Sequence, residues 1–171
     1  MAQRRIVCAH MSKSKWFAII LSVPIIGISC IAYAQTTYYD LPSLTITNPG
    51  QPASSIAPSG ALHVPFTRMN LTAHGGDIVV SEITVQRVGP TDDEAFDDIV
   101  LLDGDGEELG SDSLDDDHIV RFSDPIHIPR NTTVQLTVAA NMAEDLTEFD
   151  GQMSYFMITD IKASGYLPVQ L

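Results

Sequence analysis

Acidic side chains are concentrated in one stretch of this sequence, from Asp92 to Asp117. Thirteen Asp and Glu residues occur there without one Lys or Arg. Calcium takes about six to eight oxygen ligands from flexible loops, and crowded carboxylates repel one another unless a cation neutralises them. We therefore predict a candidate calcium site in this stretch. Its candidate ligands are Asp97, Asp98, Asp103, Asp105, Asp112, Asp115 and Asp117.

Two interpretations of the acidic stretch remain open. The EF-hand pattern fails, because a loop starting at Asp103 has Glu108 at the glycine position and Leu114 at the bidentate position. Any calcium site would therefore be formed between loops. In the alternative, Asp103 to Gly106 is a simple hairpin turn and the remaining carboxylates form a solvated face.

The rest of the chain offers no catalytic pattern. None of the four histidines after residue 34 is spaced as a metal pair on one strand, and no cysteine follows Cys30. The nucleophile elbow and the phosphate-binding glycine loop are both missing from the sequence. We predict a protein that is not an enzyme and that has no cofactor other than the candidate Ca²⁺.

The first 34 residues have the layout of a secretory signal peptide. Four basic residues precede an uncharged segment, 16–34, which ends in Ala32-Tyr33-Ala34. We predict export, cleavage after Ala34 and an extracellular or cell-surface location. An uncleaved membrane anchor formed by residues 16–34 is the alternative, since a spanning helix needs about 20 residues. Lipid attachment at Cys30 is a third option.

Removing this leader leaves a strongly acidic chain. Five basic residues face 22 acidic ones after Ala34, which gives a net charge of −17. Such a surface repels nucleic acid and anionic lipid, so we predict no nucleic-acid partner and no membrane contact except through the leader. Both cysteines lie in the leader, so the exported part holds no disulfide.

Apolar residues after the leader recur with the period of β-strands. The clearest case is Thr133–Met142, in which Val134, Leu136, Val138, Ala140 and Met142 share one face. Val79, Ser81, Ile83 and Val85 predict a second such face. In Val64–Leu71 the phase breaks around Thr67-Arg68, which predicts a bulge. Ile99–Leu102 is apolar on both faces and Tyr155–Ile161 nearly so, which predicts two central strands.

Turn signals separate these strands at short intervals. Asn48-Pro49-Gly50, Gly75-Gly76-Asp77 and Asp150-Gly151 are examples, and Asp92 to Phe96 predicts one helical turn. We therefore predict an all-β fold, a single antiparallel Greek-key β-sandwich of seven or eight strands. The predicted parts are the leader 1–34, an extended arm 35–43, the sandwich 44–165 and a tail 166–171.

Three runs of sequence carry a resemblance to a known class of module: Ala61 to Ala73, Ile83 to Arg87 and Ile128 to Val138. Together they resemble the Ig-like β-sandwich modules of bacterial secreted and cell-surface proteins. The resemblance implies a fold and a location, and it assigns no functional residues.

We accordingly predict a binding or adhesion module whose partner is a surface ligand or protein. The alternatives are a homo-oligomeric subunit of a coat or filament that assembles by strand addition, and a small secreted hydrolase.

Overall fold

The computed structural model describes residues 41–166, and within them the chain forms two antiparallel β-sheets packed as a sandwich. The predicted all-β sandwich is confirmed. The leader lies outside the described residues, as do most of the predicted arm and tail. Two short 3-10 turns, Asp93–Ala95 and Thr147–Phe149, interrupt the strands, and the first confirms the predicted helical turn. The nine strands of the described part are β1 (Ser43–Thr47), β2 (Val64–His74), β3 (Asp77–Val88), β4 (Phe96–Leu102), β5 (Glu108–Asp112), β6 (Ile119–Phe122), β7 (Ile126–Ile128), β8 (Thr133–Met142) and β9 (Tyr155–Tyr166).

One sheet has five strands in the order β1-β2-β8-β4-β5. The other is organised around β3, which pairs along its whole length with β9. Because β9 occupies one edge of β3, the short strands β6 and β7 share the other edge. The largest side chains buried between the two sheets include Met69, Leu71, Ile83, Leu101 and Leu136.

Strand β8 confirms the clearest prediction from the sequence. Its predicted bounds are correct, and Leu136, Val138 and Ala140 are fully buried in the core. The opposite face of β8 is also partly buried, at Thr137 and Ala139. The difference in burial between the two faces of β8 is therefore smaller than simple alternation predicts.

The predicted facing of β3 is wrong in its first half. Ile78 and Val80 are buried in the core together with Ile83 and Val85, whereas Val79 is half-buried and Ser81 is exposed. The reason is a register shift against β9 between Val80 and Glu82. An extra residue at a bulge reverses the alternation that follows it.

The bulge that the sequence predicts in β2 is present. The pairing of β2 with β8 shifts between Pro65 and Thr67. The shift lies one residue before the predicted break, and it brings Met69 and Leu71 into the core.

Of the two predicted central strands, β4 is confirmed and β9 is not. Strand β4 lies between β8 and β5, and Ile99 to Leu102 are all buried. Strand β9 pairs only with β3 in the described part of the chain and leaves Tyr155 and Met157 exposed. It is an edge strand, with Lys162 bound to Glu82 of β3 through an Nζ···Oε1 contact of 2.6 Å.

The two ends of the sandwich differ in which strands begin and finish there. At one end β1 begins and β9 finishes, and a Cβ added to Gly165 would lie 2.3 Å from Cβ of Pro42. We call this the terminal end. At the other end β2, β4 and β9 begin and β8 finishes. We call it the cavity end, for the cavity described below.

Candidate functional site

The seven predicted calcium ligands are divided between the two ends. Asp103 and Asp105 lie in the turn between β4 and β5, which points toward the terminal end and packs near Gln135. The other five belong to the cavity end. Asp97 and Asp98 open β4, Asp112 closes β5, and Asp115 and Asp117 lie in the following loop. The seven carboxylates therefore do not converge on one point.

Two of these carboxylates organise their own turns. Oδ1 of Asp103 accepts hydrogen bonds from the backbone N–H groups of Asp105 and Glu107, both at 2.9 Å. Oδ1 of Asp115 accepts in the same way from Asp117 at 3.0 Å and from Ile119 at 2.9 Å. Such Asx turns satisfy backbone donors locally.

Asp115 has a further partner, because its Oδ2 accepts from Nη1 of Arg121 at 2.9 Å. The hydrogen bond from Ile119 and this contact with Arg121 lower the pKa of the Asp115 carboxyl.

The remaining candidate ligands make few contacts. Oδ1 of Asp98 accepts from the Ser113 hydroxyl at 3.5 Å, and Oδ1 of Asp112 accepts from the Ser113 backbone N–H at 2.9 Å. Within residues 41–166 no three His, Cys, Asp or Glu side chains are grouped so that they could hold a metal ion. Calcium binding therefore stays a prediction from the sequence.

The cavity end contains an ion network that the sequence analysis missed. Arg87 is buried at the end of β3, with a side chain that is 5% exposed. Its Nε donates to Oδ1 of Asp93, and its Nη1 donates to the carbonyl oxygens of Gly89 and Thr91. Nδ1 of His118 lies 2.5 Å from Oδ2 of Asp93 and 3.1 Å from Nη2 of Arg87.

This network holds the loop between β3 and β4 against the loop that precedes β6. The backbone N–H of Arg87 also donates to the carbonyl of His118 at 2.9 Å. A signal for it existed in the sequence, since Arg87 continues the inward alternation of Ile83 and Val85. A buried guanidinium needs a carboxylate and several acceptors, and the surrounding loop supplies them.

A cavity of about 660 Å³ lies beside this network. It is lined by the segment 51–57, the start of β2 and the segment 149–156. Phe66, Phe96 and Phe156 line it and contact one another edge to face, with ring centroids 4.9 to 6.0 Å apart. This geometry is favourable for aromatic pairs. The volume is in the range of small-molecule sites.

Most residues around the cavity are apolar, including several that solvent reaches. Ile56 is 95% exposed, and Met153 and Tyr155 are each about half exposed. Asp150 is the one charged residue among those that line it. Thr91 and Ser154 also line it, and their hydroxyl oxygens are buried without a hydrogen-bond partner. An apolar lining with a few polar groups suits noncovalent binding.

Comparison of the chain with protein-family models, with curated proteins and with solved structures found no match. Between residues 41 and 166, no helix has the length and apolar character needed to cross a membrane.

Proposed function

We propose that this chain is a non-catalytic binding module, exported to the cell surface or beyond it, with an Ig-like Greek-key sandwich as its scaffold. The observation that carries the proposal is the cavity of about 660 Å³ at the end of the sandwich opposite Pro42 and Gly165. The first and last described residues of the sandwich therefore lie at the end away from the cavity. Loops at one end of a rigid sandwich are a common place for recognition.

The scaffold around the cavity supports this proposal. On one side of the cavity, the Arg87 network fixes the loop from Gly89 to Asp93. Arg87 donates a hydrogen bond to the carbonyl oxygen of Thr91 and so holds that residue in place. On the other side, an added Cβ at Gly89 would lie 2.5 Å from the Met153 carbonyl oxygen, so the two loops touch. A site whose walls are already positioned loses less entropy when it binds.

A thermal-shift screen tests the binding function. The purified chain is heated with neutral, anionic and cationic small molecules, oligosaccharides and short peptides. A ligand that binds only the folded state adds RT ln(1 + [L]/Kd), or about 2.7 kcal/mol at a hundredfold excess over Kd. We expect at least one class to raise Tm, and the double variant Ile56→Ser, Met153→Ser to lose that increase. No increase with any class would contradict the proposal.

The export proposal has a separate test. Expressed in a bacterial host, the protein should be recovered outside the cytoplasm with Gln35 as its first residue, because the Ala32-Tyr33-Ala34 site matches what a signal peptidase recognises. Intact-mass measurement gives the answer directly. A species that retains residues 16–34 would support the membrane anchor instead.

A second candidate function, assembly by strand addition, is favoured by a different observation. The first and last strands of the described chain, β1 and β9, are both edge strands. Sheet edges accept an added strand from another chain. Sedimentation velocity over a wide range of protein concentration separates the two candidates. Assembly would raise the sedimentation coefficient as the protein concentration rises, whereas a module that only binds a small ligand would remain a monomer.

A further inference from the structure

We propose that the cavity binds a mainly apolar small molecule that carries one or two hydrogen-bonding groups and no anionic group, an inference that rests on the proposed binding function. The apolar part of the ligand would contact Phe66, Phe96 and Phe156, which present ring edges and faces to one another across 4.9 to 6.0 Å. Sites of this kind combine apolar walls with a few polar groups that set orientation.

The surroundings of the cavity argue for an apolar ligand. Ile56, Met153 and Tyr155 are exposed although large apolar side chains gain free energy when they leave water. All three line the same cavity. Exposed apolar residues that cluster around one concave site, rather than scattering, indicate a binding surface.

Charge argues against an anionic ligand. Asp150 supplies a negative charge among the lining residues, and no basic residue accompanies it there. The chain outside the leader carries a net charge of −17. A carboxylate or phosphate brought into this cavity would lose hydration without gaining a counter-charge.

The unpaired hydroxyls provide the polar groups. Thr91 is 7% exposed, and its Oγ1 has no hydrogen-bond partner, as is true of Oγ of Ser154. A buried hydroxyl without a hydrogen-bond partner destabilises the protein, because it has lost its bonds to water and gained none in return. Rotation about χ1 moves a hydroxyl between staggered positions, so either group can turn to a polar atom that enters the cavity. A hydroxyl or carbonyl on the ligand would pair with them.

Displacement of a fluorescent probe tests this inference. N-phenyl-1-naphthylamine, which is uncharged, is mixed with the purified full chain in about 0.5 M NaCl, where the Debye length falls to roughly 4 Å and long-range repulsion is screened. The competitors are 1-decanol and decanoate at about pH 7.5, which share an alkyl chain and differ in the headgroup. We expect decanol to displace the probe at a concentration at least about tenfold lower than decanoate.

Three variants locate the binding. Ile56→Ser with Met153→Ser should reduce the probe signal severalfold, whereas Leu41→Ser, at an apolar residue of similar exposure near the terminal end, should leave it unchanged. All variants carry the same leader, so any probe bound there contributes equally. Thr91→Val keeps the shape and removes the hydroxyl, and it should weaken decanol binding about fivefold or more.

Several results would overturn the inference. Equal signals from Leu41→Ser and the Ile56, Met153 double variant would mean nonspecific adsorption. Displacement by decanoate at the concentration that suffices for decanol would remove the charge argument. Unchanged decanol binding in Thr91→Val would remove the hydroxyl from the site. An oligosaccharide or peptide that raises Tm in the thermal-shift screen, with no probe binding, would overturn this ligand class and leave the binding function standing.

Discussion

The two ends of the sandwich are closed in different ways. At the terminal end, Gly165 packs so tightly on Pro42 that a single added methyl group would collide with it. At the cavity end, three phenylalanines line an open volume of about 660 Å³, and two hydroxyls lack partners. Interiors of proteins are normally packed as densely as organic crystals. The looser end is therefore the one where packing has been left incomplete, and this is the expected place for a ligand.

The largest effect that tests this contrast comes from two truncations on the same face of β8. Leu136 is fully buried in the closed part of the core, and Leu136→Ala should cost about 2–5 kcal/mol of unfolding free energy through lost transfer and a new cavity. Met142 is 5% exposed but also lines the open volume, so Met142→Ala should cost less than Leu136→Ala, about 2 kcal/mol. Urea denaturation measures both.

Gln135→Ala, at an exposed position of the same strand, serves as the surface control and should change stability by about 0.5 kcal/mol or less. If Leu136→Ala and Met142→Ala cost the same, the cavity end is as well packed in solution as the terminal end. The contrast between the ends would then be lost.

A smaller effect distinguishes the two Asx turns, one at each end. The pKa of Asp115 is lowered by the Ile119 hydrogen bond and Arg121, so its ionised form stabilises the fold. A carboxyl whose pKa is lower in the folded state adds stability above its ordinary pKa and loses it as pH falls through the lowered value. Asp115→Ala should therefore be less stable than the natural chain at neutral pH, and the difference should shrink in acid.

Melting curves from neutral pH down to about pH 2 measure this difference, a range that spans the ordinary Asp pKa. Asp103→Ala removes two similar backbone contacts without an arginine partner and should cost less at neutral pH. A difference for Asp115→Ala that stays constant with pH would show that the carboxylate charge plays no part.

The smallest expected effect is that of calcium. Because the seven candidate carboxylates are split between the ends, we expect calcium to raise Tm no more than sodium does at matched ionic strength, since screening acts on both ends alike. A larger shift with calcium, removed by Asp103→Asn with Asp105→Asn, would show that the terminal end forms the site predicted from the sequence. Retention of the larger shift in that variant would place the site at the cavity end.

The separation of these carboxylates was predictable from the sequence. Asp98 and Asp103 flank Ile99–Leu102, a segment whose apolar pattern already predicts a strand. A strand rises about 3.3 Å per residue, so five residues separate the two by roughly 17 Å. The bulge at Ser81 was not predictable in the same way, since no glycine or proline marks it, and its effect on the facing of β3 emerges only from pairing with β9.

The cavity could not be predicted from the sequence either. Its walls come from the segments 51–57 and 149–156, which lie far apart along the chain. Local periodicity describes which side of a strand is buried, and it contains no information about how closely two distant loops approach each other. Alternation did predict β8 correctly, because that strand has a regular inner face and no bulge.

The contact between Pro42 and Gly165 also determines how the module would respond to mechanical load. A force applied at the outer ends of the first and last described strands acts at one end of the sandwich, on β1 at Ser43 and on β9 at Tyr166. Both strands are edge strands in the described part of the chain. Under this force β1 would separate from β2, and β9 from β3, by breaking one hydrogen bond after another. Strands pulled from opposite ends would instead shear, with all their bonds loaded together. The described fold is therefore poorly suited to transmitting tension along a chain of modules.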